Sequence, residues 1–149
     1  MKKHSFIIFI CLLCCGCQPS YSKRIEKQLN ISIPHYDKMT YRDNRGWFND
    51  GEIYCEMSFL NNDIEEEIKQ TNHWHDFPLN QDLQTFLKDY TNHFEFLQIK
   101  QGYWYFYDRH DLAIEHYNIK NLFTRSSYNV TIALYDTLEH KLYYLVVNT

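Results

Sequence analysis

The C-terminal end of the chain limits the fold most narrowly, because it has the pattern of two strands joined by a short turn. In residues 129–135, apolar side chains alternate with their neighbours, which is the period-two pattern of a strand. Residues 141–147 supply a partner strand across the turn 136–140. The sequence therefore predicts a terminal antiparallel hairpin, which needs further strands or helices to cover it.

Two more segments have the pattern of strands. Residues 53–59 alternate between apolar and polar side chains, as expected of a strand with one buried face. Gly102 opens a run of five consecutive aromatic residues from Tyr103 to Tyr107, and aromatic side chains favour a pleated, half-buried surface. We predict an antiparallel sheet of about four or more strands near residues 53–59, 102–107, 129–135 and 141–147.

Three segments favour helices. Ser22 can cap a short helix that ends near Asn30, and Asn62 with Glu65 resembles a capping box at the start of a helix over residues 62–71. Asn80 can cap a third helix, since apolar residues recur at helical spacing at Leu83, Phe86, Leu87, Tyr90 and Phe94. Together these segments predict an α+β fold with two or three helices on one face of the sheet.

The segments between these elements carry weaker signals. Residues 36–51 are polar and predict a long loop or an irregular hairpin. Residues 71–78 predict a compact linker in which Trp74, Phe77 and the adjoining Leu79 pack beneath the helices. Residues 111–126 fit neither the helical nor the strand pattern, so their structure stays open.

The first seventeen residues have the pattern of an export signal. Lys2 and Lys3 precede the apolar run 6–15, and Gly16 then stands directly before Cys17. This order of basic, apolar and small residues is typical of a secretion signal. The apolar run is about half the roughly 20 residues that a membrane-spanning helix needs.

This N-terminal segment resembles a bacterial lipoprotein signal. The resemblance implies cleavage before Cys17, acyl chains such as palmitate on that residue, and a domain anchored to the cell membrane or the outer membrane, outside the cytoplasm. It divides the chain into a signal peptide (1–16), a lipidated tether (17–22) and a single α+β domain (23–149). Acylation of Cys15, an ordinary secreted protein and a short uncleaved anchor are the alternatives.

Charge and cysteine content narrow the function classes. Without Lys2 and Lys3 of the signal, the chain keeps 13 basic and 19 acidic residues, a net charge of about −6 with neutral histidines. An acidic domain without a basic stripe is a poor candidate for binding nucleic acid.

Besides Cys17, only Cys55 lies outside the signal, so we predict no internal disulfide and a buried, unreactive Cys55.

Several short motifs resemble those of a small uncharacterised bacterial lipoprotein family. They lie at residues 45–52, 102–110, 127–129, 133–136 and 142–144. Trp47 stands where that family commonly has a glycine. The resemblance implies one compact domain of mixed helix and sheet at the cell envelope, and it implies no activity.

The polar residues that follow the aromatic strand are the sharpest candidates for a site. Polar side chains at a strand end can meet a ligand, so we predict binding residues at Arg45, Trp47, Asp108, Arg109 and His110. A purely structural role is the alternative, in which Asp108 pairs with the guanidinium of Arg109 or of Arg45.

A metal site is the weaker hypothesis. His73 and His75 flank a tryptophan, and zinc would need a third ligand such as His110 or Asp108. The two-residue spacing is nonspecific, so the sequence favours histidines on a polar linker, and we predict no cofactor.

Three function classes remain. The favoured one is a non-catalytic binding, inhibitor or immunity-type module that contacts another envelope protein, since anchoring, acidity and abundant aromatic residues suit recognition. A structural or stress-related envelope lipoprotein is the second class. A metal-assisted envelope hydrolase that uses His73, His75, Asp108 and His110 is the third.

Overall fold

The computed structural model describes residues 20–110, 115–120 and 122–149. Three helices and six strands follow one another as α1 (Tyr21–Leu29), β1 (Lys38–Asp43), β2 (Gly51–Ser58), α2 (Asp63–Lys69), β3 (Trp74–Asp76), α3 (Gln81–Tyr90), β4 (Gly102–Asp108), β5 (Asn129–Asp136) and β6 (Lys141–Asn148). Short 3₁₀ helices at Phe94–Gln98 and Leu122–Thr124 flank β4. The predicted signal and Cys17 lie outside the described residues.

All six strands form one antiparallel sheet in the order β1-β2-β6-β5-β4-β3. The predicted terminal hairpin is confirmed as β5 and β6, which occupy the centre of the sheet. Both of these strands are buried along nearly their whole length, because side chains on both faces meet a hydrophobic cluster. The fold class is therefore α+β, as predicted.

Helices α1 and α2 cover one face of the sheet. Each buries two apolar residues one turn apart, Ile25 with Leu29 and Ile64 with Ile68, because positions i and i+4 share one side of a helix. They pack on a cluster that includes Tyr135, Met57, Tyr105, Tyr144 and Val146. The expected pair of helices on one face is thus present.

Helix α3 covers the opposite face. It buries Leu83, Phe86 and Leu87 against a second cluster built on Trp104, Phe106, Ile132 and Leu145. Consecutive residues of the central strands therefore belong to different clusters. The sheet is the middle layer of three.

The helix ends partly follow the predictions. The Asn80 side chain accepts hydrogen bonds from the backbone N–H groups of Asp82 (2.8 Å) and Leu83 (3.4 Å), as predicted. Asn62 makes no side-chain cap bond, so the predicted capping box is wrong. Ser22 lies inside α1, whose N-cap position is Ser20, so the predicted cap at Ser22 is wrong. The helix ends at Leu29, and Asn30, which follows it, has a left-handed conformation.

Three further predictions need correction or completion. Helix α3 ends at Tyr90 because Thr91 is extended, so Phe94 starts a 3₁₀ helix and does not continue α3. The linker 71–78 contains the edge strand β3, which the sequence does not predict. Residues 36–51 form the hairpin of β1 with the start of β2, so the hairpin alternative for this segment is confirmed. Residues 111–114 and 121 of the open segment lie outside the described residues. None of the described helices has the length and apolar composition needed to cross a membrane.

Candidate functional site

Asp108 ends β4 and is buried, with only 4% of its surface exposed. A guanidinium nitrogen of Arg125 donates to its Oδ2, and the backbone N–H of His110 donates to its Oδ1 at 3.0 Å. Neither Arg109 nor Arg45 pairs with this carboxylate, so both predicted partners are wrong. Asp108 instead fastens the segment around Arg125 to the end of the sheet.

Arg109 and Arg45 belong to a separate chain of hydrogen bonds. Arg109 donates from Nη2 to Asn148 Oδ1 at 2.9 Å, and Asn148 donates from Nδ2 to the carbonyl of Asn49 at 3.1 Å. Arg45 donates to Asn49 Oδ1 at 2.6 Å. This chain joins the end of β6 to the loop between β1 and β2. Burial lowers the pKa of Arg109 below its usual value.

We call residues 44–50, which connect β1 to β2, the hairpin tip. The Arg45 guanidinium donates two hydrogen bonds to the Asp43 carboxylate, from Nε at 2.8 Å and from Nη2 at 2.6 Å. This pairing raises the pKa of Arg45. The Gly46 N–H donates to the Asp50 carbonyl at 2.7 Å, and the Asn49 N–H donates to the Gly46 carbonyl at 3.0 Å. The tip is therefore a fixed turn.

Trp47 and Phe48 stand at the apex of the hairpin tip. They are 103% and 91% exposed, above every other large apolar residue described. The structure thus places Arg45, Trp47, Asp108, Arg109 and His110 at one end of the sheet, as the register of Gly51 with Asn148 and of Asp108 with Val130 shows. Among the predicted residues, Arg45 and Arg109 are linked through Asn49 and Asn148. Asp108 and His110 do not belong to this chain of hydrogen bonds and contact other residues.

The two histidines of the metal hypothesis lie elsewhere, His75 in β3 and His73 directly before it. The His73 ring stacks on Tyr117 with centroids 3.5 Å apart, and the His75 ring stacks on Trp104 at 4.3 Å. His110 contacts Ser127 Oγ at 3.3 Å. Within the described part of the chain, no three His, Cys, Asp or Glu side chains lie together as a metal would need, so the predicted set His73, His75 and His110 does not assemble.

A groove of about 530 Å³ opens beside His75. Its walls come from β3, the start of α3 and residues 115–120, and its lining includes Trp104, Asp82, Glu115 and Lys120. Partial loss of solvent around the exposed ring of His75, together with repulsion from His73, lowers the pKa of His75. The groove, to which we refer as the His75 groove, therefore offers an imidazole, aromatic surface and charges of both signs.

A buried histidine that the sequence did not reveal lies on the same face as α3. His93 is 8% exposed. Its Nε2 lies 2.7 Å from Glu52 Oε1, and its Nδ1 lies 3.1 Å from Glu95 Oε1. The ring stacks on Tyr54 at 4.3 Å. Burial alone would lower the pKa of His93, but the two carboxylates outweigh it and raise the pKa above its usual value.

Only the strand pattern could have hinted at this cluster. Glu52 and Ile53 are consecutive in β2, so their side chains lie on opposite faces of the sheet. A carboxylate on a covered face needs a polar partner. The predicted extension of α3 to Phe94 placed His93 inside a helix and hid the contact.

Cys55 is fully buried on β2. Burial raises the pKa of its thiol to about 12, and a thiol is a weak nucleophile compared with the thiolate. The prediction that Cys55 is a buried apolar residue is confirmed.

Comparison of the chain with protein-family models, with curated proteins and with solved structures finds no match. The resemblance to bacterial lipoproteins therefore stays a prediction.

Proposed function

We propose that the protein is a lipid-anchored binding module of the bacterial cell envelope, held to its membrane through Cys17, with another envelope protein as its partner. The basic, apolar and small residues before Cys17 support the anchor. The His75 groove is the observation that carries the binding role. An inhibitor or immunity-type function fits such a module, since both require recognition without chemistry.

The His75 groove has the composition of a recognition surface. The rings of His75 and Tyr117 supply exposed aromatic area above the buried Trp104, while Asp82 and Lys120 supply charges of opposite sign at the margin. Protein interfaces commonly combine an aromatic centre with a polar rim. β3 ends the described sheet at this side, and an edge strand can pair with an extended segment of another chain. We therefore assign the partner an extended segment that lies along β3.

The polar residues that could have supported catalysis have structural partners. A general acid or base must reach its substrate, but Asp108 is buried and both of its oxygens accept hydrogen bonds. The Asp108 carboxylate therefore has a structural role, because it connects Arg125 and the backbone of His110 to the end of β4. This arrangement favours binding over an envelope hydrolase.

Cell fractionation with mass spectrometry tests the anchor. We expect the wild-type protein in the membrane fraction, with an acylated N-terminal Cys17, and the Cys17→Ser protein without acyl chains. A cytosolic protein with an intact Met1 and no acyl chain would refute the anchor.

Photo-crosslinking in living cells tests the His75 groove. A photoreactive residue in place of His75 should capture one envelope protein, and the same residue at Leu60, which is 78% exposed and outside the groove, should not. Reversing the rim charges with Asp82→Lys and Lys120→Glu should abolish the adduct. Equal capture at both positions would refute this use of the groove.

A further inference from the structure

The hairpin tip is held by internal hydrogen bonds and has nothing covering its apex among the described residues. Trp47 and Phe48 are almost fully exposed, while Arg45 ties the turn to Asp43 and Asn49 through three side-chain hydrogen bonds. Exposed aromatic pairs of this kind mark a contact with another surface. A fixed turn presents them without the entropy cost of ordering a flexible loop.

The N-terminal end of α1 lies beside β1, the edge strand that leads into the hairpin tip. Tyr21, the first residue of α1, stacks on Tyr41 with ring centroids 3.8 Å apart. Tyr41 stands two residues before the end of β1 at Asp43, which is about 7 Å along a strand. From Tyr41, β1 runs directly into the tip.

The tether keeps this side of the domain close to the lipid. Cys17 stands four residues before Tyr21, and four residues span at most about 14 Å when fully extended. An acylated Cys17 therefore keeps Tyr21, and with it the strand β1 on which Tyr21 packs, within that distance of the bilayer surface. The turn between β5 and β6 lies at the other end of the sheet, since Ser58 pairs with Lys141 there and Gly51 pairs with Asn148 at the tip end.

The chemistry of the hairpin tip suits a bilayer interface. Tryptophan is enriched at membrane surfaces because its ring is apolar while its N–H can still bond to water or headgroups. The backbone N–H groups of Asn44, Gly46 and Asn49 already donate to carbonyls within the hairpin, so insertion leaves them paired. Arg24, whose guanidinium lies 5.8 Å from the Tyr21 ring, adds a positive charge close to the tether, which favours anionic lipid.

We propose that Trp47 and Phe48 insert into the surface of the bilayer that holds the acyl chains of Cys17. This inference rests on the lipid anchor of the proposed function and adds a second, non-covalent contact to it. Two contacts fix the orientation of the domain, whereas a single tether leaves it free to rotate. β3 and the His75 groove lie at the sheet edge opposite to β1.

Fluorescence quenching by brominated lipid tests the insertion. The lipidated protein is reconstituted into phosphatidylethanolamine and phosphatidylglycerol vesicles with plain or brominated acyl chains. Brominated lipid should quench part of the tryptophan emission of the wild type. Trp47→Phe should abolish that quenching, because Trp104 is buried and Trp74 lies on the distant strand β3.

A matched control moves the tryptophan to the other end of the sheet. Leu138 is 62% exposed in the turn between β5 and β6, so the double variant Trp47→Phe with Leu138→Trp should show no quenching. Both positions are exposed, so the substitutions leave the core unchanged. Equal quenching at positions 47 and 138 would overturn the inference.

Vesicle flotation and the mass of the acylated N-terminus separate the two proposals. If the acylated protein floats with the vesicles and Trp47 is not quenched, the insertion is refuted while the anchor stands, and the tip is left to contact a protein. If no acyl chain is present, the anchor fails and the insertion inference fails with it.

Discussion

Replacing Asp108 by Asn should destabilise the domain strongly. The substitution keeps the size of the side chain and leaves an oxygen to accept the His110 N–H, but it removes the negative charge that faces Arg125. The two side chains are 6% and 12% exposed, and Arg125 Nε already has no partner among the described residues. The mutant must therefore keep a buried guanidinium without a counter-charge.

The magnitude follows from this burial. Removing one partner of a buried ion pair typically costs about 3–5 kcal/mol, against a total stability of about 5–15 kcal/mol for a domain. The pair of Lys69 with Glu66 provides the comparison, since its side chains are 46% and 71% exposed at 3.6 Å. An exposed pair is worth about 0–1 kcal/mol, so Glu66→Gln should change little.

Urea denaturation followed by tryptophan fluorescence measures both effects. We expect Asp108→Asn to lower the free energy of unfolding by about 3 kcal/mol and Glu66→Gln by less than about 1 kcal/mol. The double variant Asp108→Asn with Arg125→Met should recover part of the loss, because it also removes the unpaired charge. A loss below about 1 kcal/mol for Asp108→Asn would show that Arg125 is solvated without its partner and would refute the reasoning.

Three further predictions concern local features of the fold. Because the folded pKa of His93 is raised, its contribution to stability is complete below the unfolded pKa of about 6.5 and is lost as the pH rises through the folded pKa. The free energy of unfolding of the wild type should therefore decrease across that pH range. His93→Gln should remove this decrease, and a decrease that is unchanged in the variant would contradict the assignment. Asn80→Ala removes the cap of α3 and should cost about 1 kcal/mol in urea denaturation, whereas Asn62→Ala, at a position without a cap bond, should cost clearly less. Gly102→Ala places a Cβ 1.8 Å from the carbonyl oxygen of Tyr135 at a φ of 146° and should cost roughly 3 kcal/mol; a thermal midpoint equal to that of the wild type would disprove the close approach.

The strands of the centre could be predicted because their signals are local. The alternation in residues 129–135 and the aromatic run from Tyr103 to Tyr107 identify strands without knowledge of their neighbours. The cap of α3 was equally predictable, since Asn80 and the apolar residues Leu83, Phe86 and Leu87 lie in one short segment.

The edge strands give weaker signals because their side chains face water on several sides, so the sequence predicts β1 only as part of a long loop or an irregular hairpin over residues 36–51. β1 contains Lys38, Arg42 and Asp43, and polar residues on an edge hide the strand pattern while protecting the edge from other chains. β3 has only three residues, too few for a period to be recognised. Its pairing with β4 is decided by tertiary contacts that leave no local signal.

The partners in the candidate site could not be predicted, since they come from distant parts of the chain. Arg125 stands 17 residues after Asp108, whereas Arg109 is adjacent in sequence and its side chain reaches Asn148 instead. His93 and Glu52 are 41 residues apart. The sequence places Asp108, Arg109 and His110 at the end of a strand, but it does not determine which groups they bond to.

The physical reason for this polar network is the end of a sheet that is covered on both faces. Strand ends there lie beneath connecting segments, so the last polar groups of β4 and β6 cannot all reach water. A buried polar group without a partner is costly, which explains why Asp108, Arg109 and Asn148 are joined to neighbouring loops. The same bonds connect the hairpin tip to the end of β6 through Asn49. The rigid presentation of Trp47 is therefore a consequence of satisfying buried polar groups at the sheet end, and the tip can be changed at positions 47 and 48 without disturbing that network.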